Sequence, residues 1–331
     1  MPTATLLSFA LLPALLAAPL APSIALPGGP PVGMDYLAFD PGTGRIWVPA
    51  GNTGNVDVVD TATGQVTPLG GFPTKPSPRP GRPKMGPSSA TIADGTAWIG
   101  NRGDSRLCSF DARTLTKGDC VQLPSMPDGL AYVARTRELW VTTPRDQTIT
   151  IVDLAGQKRA APQAIKLDGE PEGLAVDGAR GLFYTNLEDK DQTLAIDVKT
   201  RRVVARYSPG CGADGPRGLA WSGVDRLLFV ACTHGAVVLD VAHDGKPVGR
   251  LETGGGVDNL DYCAATRFLY VASGSDGKLT LAHVAAGGGL KVVATVATAK
   301  GARTAVVDGR GTAYLPDSMG GRLIVVQPPA P

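Results

Sequence analysis

From about residue 34 to its end the chain alternates short apolar runs with polar breaks rich in Gly, Asp, Asn and Pro. Those break residues supply the backbone angles and local hydrogen bonds that turns require. The alternation is itself periodic. Residues 173–210 (GLAVDGARGLFYTNLEDKDQTLAIDVKTRRVVARYSPG) and 218–254 (GLAWSGVDRLLFVACTHGAVVLDVAHDGKPVGRLETG) are two copies of one unit of about forty residues. Each copy holds four apolar runs, which predicts four short β-strands joined by tight turns.

The second run of the unit is the most regular. It reads IWV at 46–48, AWI at 97–99, LWV at 139–141, LFY at 182–184, LFV at 228–230, LYV at 269–271 and AYL at 313–315. In the first copy the flanking strands fall at 34–39 and 56–59. Four-stranded units stacked at this period predict an all-β fold, a seven-bladed β-propeller of four-stranded antiparallel blades. The last copy stops after LIVV at 323–326, one strand short. Residues 23–26 are predicted to supply it, because SIALPGGPPVGMDYLAF repeats the pattern of AIKLDGEPEGLAV, an outer strand running into the next inner one. Such a closure leaves no unpaired sheet edge.

A chain of 331 residues would ordinarily suggest two domains, but one propeller carries this length as a single ring, here residues 26–331. The 43 Gly and 28 Pro suit its many turns. A net charge of +2 argues against a dedicated nucleic-acid binder. Past the N-terminus nothing is long and apolar enough to span a membrane. The first 25 residues, with TLLSFALLPALLAAPLAPSIA, have the apolar centre of a secretory signal peptide but no Lys or Arg ahead of it, and an N-terminal membrane anchor is the competing reading. The small-x-small pattern Ser23-Ile24-Ala25 marks one cleavage site, and an earlier cut near Ala18 would spare the closing strand. The expectation is a secreted or periplasmic monomer.

The five cysteines fit an oxidising compartment. Cys108 and Cys120 flank one turn, and pairing Leu107 with Val121 places them opposite each other, within disulfide reach. Cys211 and Cys232 approach the same face and form a second expected pair. Cys263 is left over.

Position in the repeat separates structural from functional residues. Asp60, Asp111, Asp153, Asp197 and Asp240 each open a third-to-fourth strand turn and are expected to cap it. Arg45, Arg137, Arg226 and Arg267 lie in first-to-second strand turns and are expected in solvent. On the opposite face, the residues opening the inner strands are Asp35, Ser88, Asp128, Glu172, Arg217, Asp258 and Arg303, which should ring the mouth of the central channel. Of these, the carboxylates Asp35, Asp128, Glu172 and Asp258 could hold Ca²⁺ or Mg²⁺ through oxygen ligands. The second-to-third strand loops add Asn52, Asn101, Arg102, Asp104, Arg145, Asn186, Glu188 and His234 to the rim. The competing reading is a salt-bridged, wet channel mouth that binds nothing. A longer loop at 73–85, PTKPSPRPGRPKM, carries Lys75, Arg79, Arg82 and Lys84 on the same face. Its prolines predict an extended, mobile segment that lids the channel, binds an acidic partner or is simply solvated.

Other chemistry is scarce. The chain has no Cys-x-x-Cys-His, no G-x-S-x-G elbow, no P-loop and no dinucleotide fingerprint, and its three histidines are scattered. Only His234 falls on the functional face.

The runs LFYTNLEDKDQTLAIDVKTRRVVARY and LWVTTPRDQTITIVDL resemble the YVTN-type propeller repeat, over nearly the whole mature chain. That resemblance implies the propeller fold and no single reaction. The motifs PDGL at 127–130 and PEGL at 171–174 are similar to those of the gluconolactonase/regucalcin family. This similarity implies a divalent metal at Asp35, Asp128, Glu172 and Asp258 that activates water against a sugar lactone. Two readings follow. In the first, the chain is an exported binding or scaffold module that takes a small anionic ligand or an envelope protein through Asp128, Glu172, Arg217, Asp258, Arg303, Asn186 and His234. In the second it is a metal-dependent lactone hydrolase, with Arg217 or Arg303 orienting the anionic product.

Overall fold

A computed structural model describes residues 20–156 and 161–329. These residues form seven antiparallel sheets of four strands. Blade 1 runs Ala38–Asp40, Arg45–Ala50, Asn55–Asp60 and Val66–Leu69, and blades 2 to 6 repeat that order along the chain. Blade 7 takes Val306–Val307, Ala313–Asp317 and Arg322–Val326 from the C-terminal end and Leu20–Ala25 from the N-terminal end. The first strand of each blade touches that of the next, and blade 7's touches blade 1's, so the ring closes.

The closing strand begins three residues earlier than the repeat pattern predicts, at Leu20 rather than Ser23. Leu20 and Ala21 pair with Val326 and Val325, then a bulge shifts the register before Ile24 meets Leu323. A cut after Ala25 would therefore remove the whole strand. The apolar run of the proposed leader, up to residue 19, lies outside the described residues.

The core consists of seven apolar clusters, one in each seam between neighbouring blades. Strand residues alternate between faces, and each blade buries both. Ile46 and Val48 pack toward blade 7 while Trp47 packs toward blade 2. A strand covered on both faces reads as a continuous apolar run instead of an alternation, which is why the second strands stand out in the sequence.

The turn aspartates behave as their position predicts. Asp60 Oδ1 accepts the backbone N–H groups of Ala62 and Thr63, and Asp111, Asp153, Asp197 and Asp240 accept from residues two or three further on. These hydrogen bonds hold the carboxyls of Asp60, Asp111 and Asp197 below the usual range. Two of the turn arginines depart from expectation. Arg45 donates to the carbonyls of Ala112 and Arg113 in blade 2, and Arg267 of blade 6 pairs at 2.9 Å with Asp225 of blade 5. They staple neighbouring blades because a turn at a blade's end lies within reach of the next blade's turn.

Cys108 and Cys120 are bridged across directly paired strand positions, Cys211 and Cys232 are bridged, and Cys263 is buried and free. Closing a loop of this size constrains the unfolded chain by about 2–3 kcal/mol. Replacing both Cys108 and Cys120 with Ser is expected to lower the melting temperature accordingly in calorimetry. An unchanged melting temperature would show that the bridge adds nothing.

Candidate functional site

Seven inner strands line the channel, and the residue opening each one sits at its mouth. Blade 2 differs from its neighbours in carrying Ser88 there, where blades 1 and 3 carry Asp35 and Asp128. Arg102, from blade 2's own second-to-third strand loop, supplies that blade's charge at the mouth. Its Nη2 lies 2.9 Å from Asp35 Oδ2 and also pairs with Asp128. Arg303 of blade 7 stands 3.5 Å from Asp258 and 3.8 Å from Asp35. Arg217 of blade 5 turns to Glu188 of blade 4 at 2.7 Å. Asp35, Asp128, Glu172, Arg217, Asp258 and Arg303 thus share one face, interleaved with Arg102 and Glu188.

Among the described residues no guanidinium forms an ion pair with Glu172. Its partner is Tyr36, whose hydroxyl donates to Oε1 at 2.5 Å and accepts from the Gly173 N–H at 3.4 Å. Tyr36 belongs to blade 1 and Glu172 to blade 4, so the phenol crosses the channel and floors the mouth. No other blade carries an aromatic ring at the equivalent position, which holds Ser89, Gly129, Gly173, Gly218, Asn259 and Thr304. Gly173 is required by its backbone. Its φ is +66°, and a Cβ there would lie 2.4 Å from the Arg217 carbonyl oxygen.

Burial, and then the negative charge of Asp258, push the Glu172 carboxyl well above the usual carboxylate range. Burial raises Asp258 as well, against the pull of Arg303. Burial and the Glu172 carboxyl raise the Tyr36 phenol, so it remains a donor. Five carboxyl groups (Asp35, Asp128, Glu172, Glu188, Asp258) face three guanidinium groups (Arg102, Arg217, Arg303) here.

The four carboxylates expected to cage a metal do not form such a group. Among the described residues no three or more His, Cys, Asp or Glu side chains are placed to hold an ion. A guanidinium lies between Asp35 and Asp128, and a phenol caps Glu172.

Asn186 is fully buried. Its amide donates to the Arg217 carbonyl and accepts from Thr193 Oγ1 at 2.6 Å. It holds the Arg217 backbone in place. Asn52 and Asn101 latch backbone in the same way, at Gly33, Pro31 and Pro73. His234 is exposed in its turn.

No family model and no curated protein matches the chain. Its fold is similar to solved structures over nearly its full length. A chain of the mitotic checkpoint complex is 13% identical, with a TM-score of 0.77 over 99% of this chain and 97% of that one. Virginiamycin B lyase from Staphylococcus aureus is 13% identical, with a TM-score of 0.73 over 94% and 100%. Kuenenia stuttgartiensis hydrazine synthase is 12% identical, with a TM-score of 0.72 over 92% and 97%. Identities this low establish the propeller and carry no chemistry with them.

Proposed function

We propose that this chain is an exported binding module of the YVTN-repeat type, whose channel mouth takes a small ligand through a positively charged group. The observation that supports this reading most is the charge balance of the mouth. Five carboxyl groups stand against three guanidinium groups above a floor made by Tyr36. An ammonium or guanidinium group entering beside Glu172 and Asp258 would supply the missing counter-charge and displace the proton that burial retains on Glu172. An anion, the ligand class suggested by the ring arginines alone, would add to the excess, because each of those arginines already has a carboxylate partner. The two disulfides support an oxidising compartment, and the apolar leader supports export.

Titration calorimetry with agmatine, glucuronate and CaCl₂ tests the reading. Agmatine is expected to bind at neutral pH with release of a proton, read from buffers of different ionisation enthalpy. The double variant Glu172→Gln, Asp258→Asn should weaken it at least tenfold, about 1.4 kcal/mol. Binding of glucuronate but not agmatine would overturn the cation preference and leave the binding module. Stoichiometric Ca²⁺ would favour the hydrolase. Agmatine binding that the double variant leaves unchanged would place the site elsewhere.

A further inference from the structure

The connection between blades 1 and 2, residues 70–86, is the longest between successive blades and contains no Asp or Glu. Its two legs are fixed. Lys75 and Met85 exchange backbone hydrogen bonds at 2.9 and 2.8 Å. Asn101 Nδ2 donates to the Pro73 carbonyl, the Arg102 N–H donates to the Gly86 carbonyl at 2.9 Å, and the Phe72 ring packs 5.9 Å from that of Phe110. Above these anchors residues 78–84 stand exposed, in the order Pro-Arg-Pro-Gly-Arg-Pro-Lys. A turn from Arg79 to Arg82, closed by the Arg82 N–H on the Arg79 carbonyl, sets their direction. The segment predicted to be free along its length is thus a pinned arm, and only its tip projects.

The arm does not lid the channel. It leans toward blade 1 and walls a trough of about 540 Å³ lined by Pro31, Asn52, Gly81, Arg82, Pro83 and Lys84, with no ring residue among them. Lys75, Arg79, Arg82 and Lys84 make no ion pair with any described residue. The whole chain carries +2, and without these four cations it would carry −2.

We infer that this arm is a docking site for an extended acidic segment of a partner polypeptide, whose carboxylates pair with Arg82 and Lys84 along the trough and with Arg79 at the other end of the tip turn. Four features favour this occupant. The cations are unpaired, so a partner's carboxylates need break no existing salt bridge. Prolines at 78, 80 and 83 restrict the backbone, so little ordering entropy opposes binding. Pro has no backbone N–H, so recognition falls to side chains and not to strand addition. The trough contains no aromatic side chain on which a nucleic-acid base could stack.

Fluorescence anisotropy with a labelled hexaglutamate peptide tests the inference on the intact chain, in about 20 mM and about 150 mM NaCl, because screening should weaken the contact. The variant Arg79→Ala, Arg82→Ala, Lys84→Ala is expected to bind at least tenfold more weakly. A control that removes three exposed cations from the opposite face, Lys199→Ala, Lys246→Ala, Lys291→Ala, should bind as wild type does. Replacing Pro78, Pro80 and Pro83 with Ala keeps every charge and should still weaken binding several-fold. The proposal fails if both charge variants weaken binding equally, if a twelve-residue oligothymidylate binds more tightly than the peptide, or if no peptide binds at millimolar concentration in low salt.

Discussion

Replacing Asp57 with Val is expected to stabilise the propeller, and to do so more at pH 8 than at pH 4. Asp57 sits in the third strand of blade 1, paired with Val48 and Pro68. It shares a face with Val48 and Val59, both packed in the seam with blade 7. Its residue is fully buried, and neither carboxylate oxygen has a hydrogen-bond partner. Burial pushes the carboxyl up from 3.8 to about 7. A folded-state value above the unfolded one means that folding disfavours the charged form. Stability is therefore complete below about pH 4, declines as pH rises toward 7, and is level above that. At 1.36 kcal/mol per unit, the loss has an upper bound of about 4 kcal/mol.

Val has no charge to bury, so the variant lacks this slope. At pH 4 it should gain only the roughly 1–3 kcal/mol of an unsatisfied neutral polar group removed. Glu172, Asp258 and Asp261 are raised by burial too and tilt the wild-type profile the same way. The difference between variant and wild type, from denaturant melts at both pH values, isolates Asp57. A difference that does not grow with pH would mean that water or a rearranged partner solvates the carboxylate.

How much of this was legible follows from what repeats. A period of forty residues averages over seven copies, so the strands, blade count, ring positions and turn aspartates emerge even where one copy is irregular. Departures from the repeat carry the remaining information and are harder to weigh. Asp57 is one: its equivalents are Cys108, Thr150, Leu194, Val237, Thr280 and Ile324, none a carboxylate. Tyr36, the one aromatic residue at a position that the other six blades fill with Gly, Ser, Thr or Asn, is another. Both could have been found by reading the repeat for its exceptions. The loop position of Arg102 already put it on the rim, but its simultaneous pairing with Asp35 and Asp128 was not legible, because the reach of a loop side chain lies outside the strand register. The blade-to-blade contacts of Arg45 and Arg267 are equally invisible to a one-dimensional period, since they join turns some forty or more residues apart.

Removing the closing strand should be the most damaging change to the ring. A chain beginning at Leu20 is expected to melt as the full sequence does, whereas one beginning at Leu26 loses every partner of residues 322–326 on that side. Arg322, Leu323, Val325 and Val326 would then form an open edge, and Tyr314 and Val325 would lose the cover of Ala21 and Ile24 in the blade 7–blade 1 seam. Unpaired edges of this kind template association with a second chain. The shorter chain should melt roughly 10 °C lower, the order of shift that a loss of a few kcal/mol produces in a chain of this size, and should elute as aggregates in size exclusion with light scattering. The same contrast bears on export. A leader peptidase that cut after Ala25 would release the damaged form, so N-terminal sequencing of secreted protein is expected to start at or before Leu20. If the chain beginning at Leu26 were monomeric and melted within about 2 °C of the longer one, the strand would not be what closes the ring.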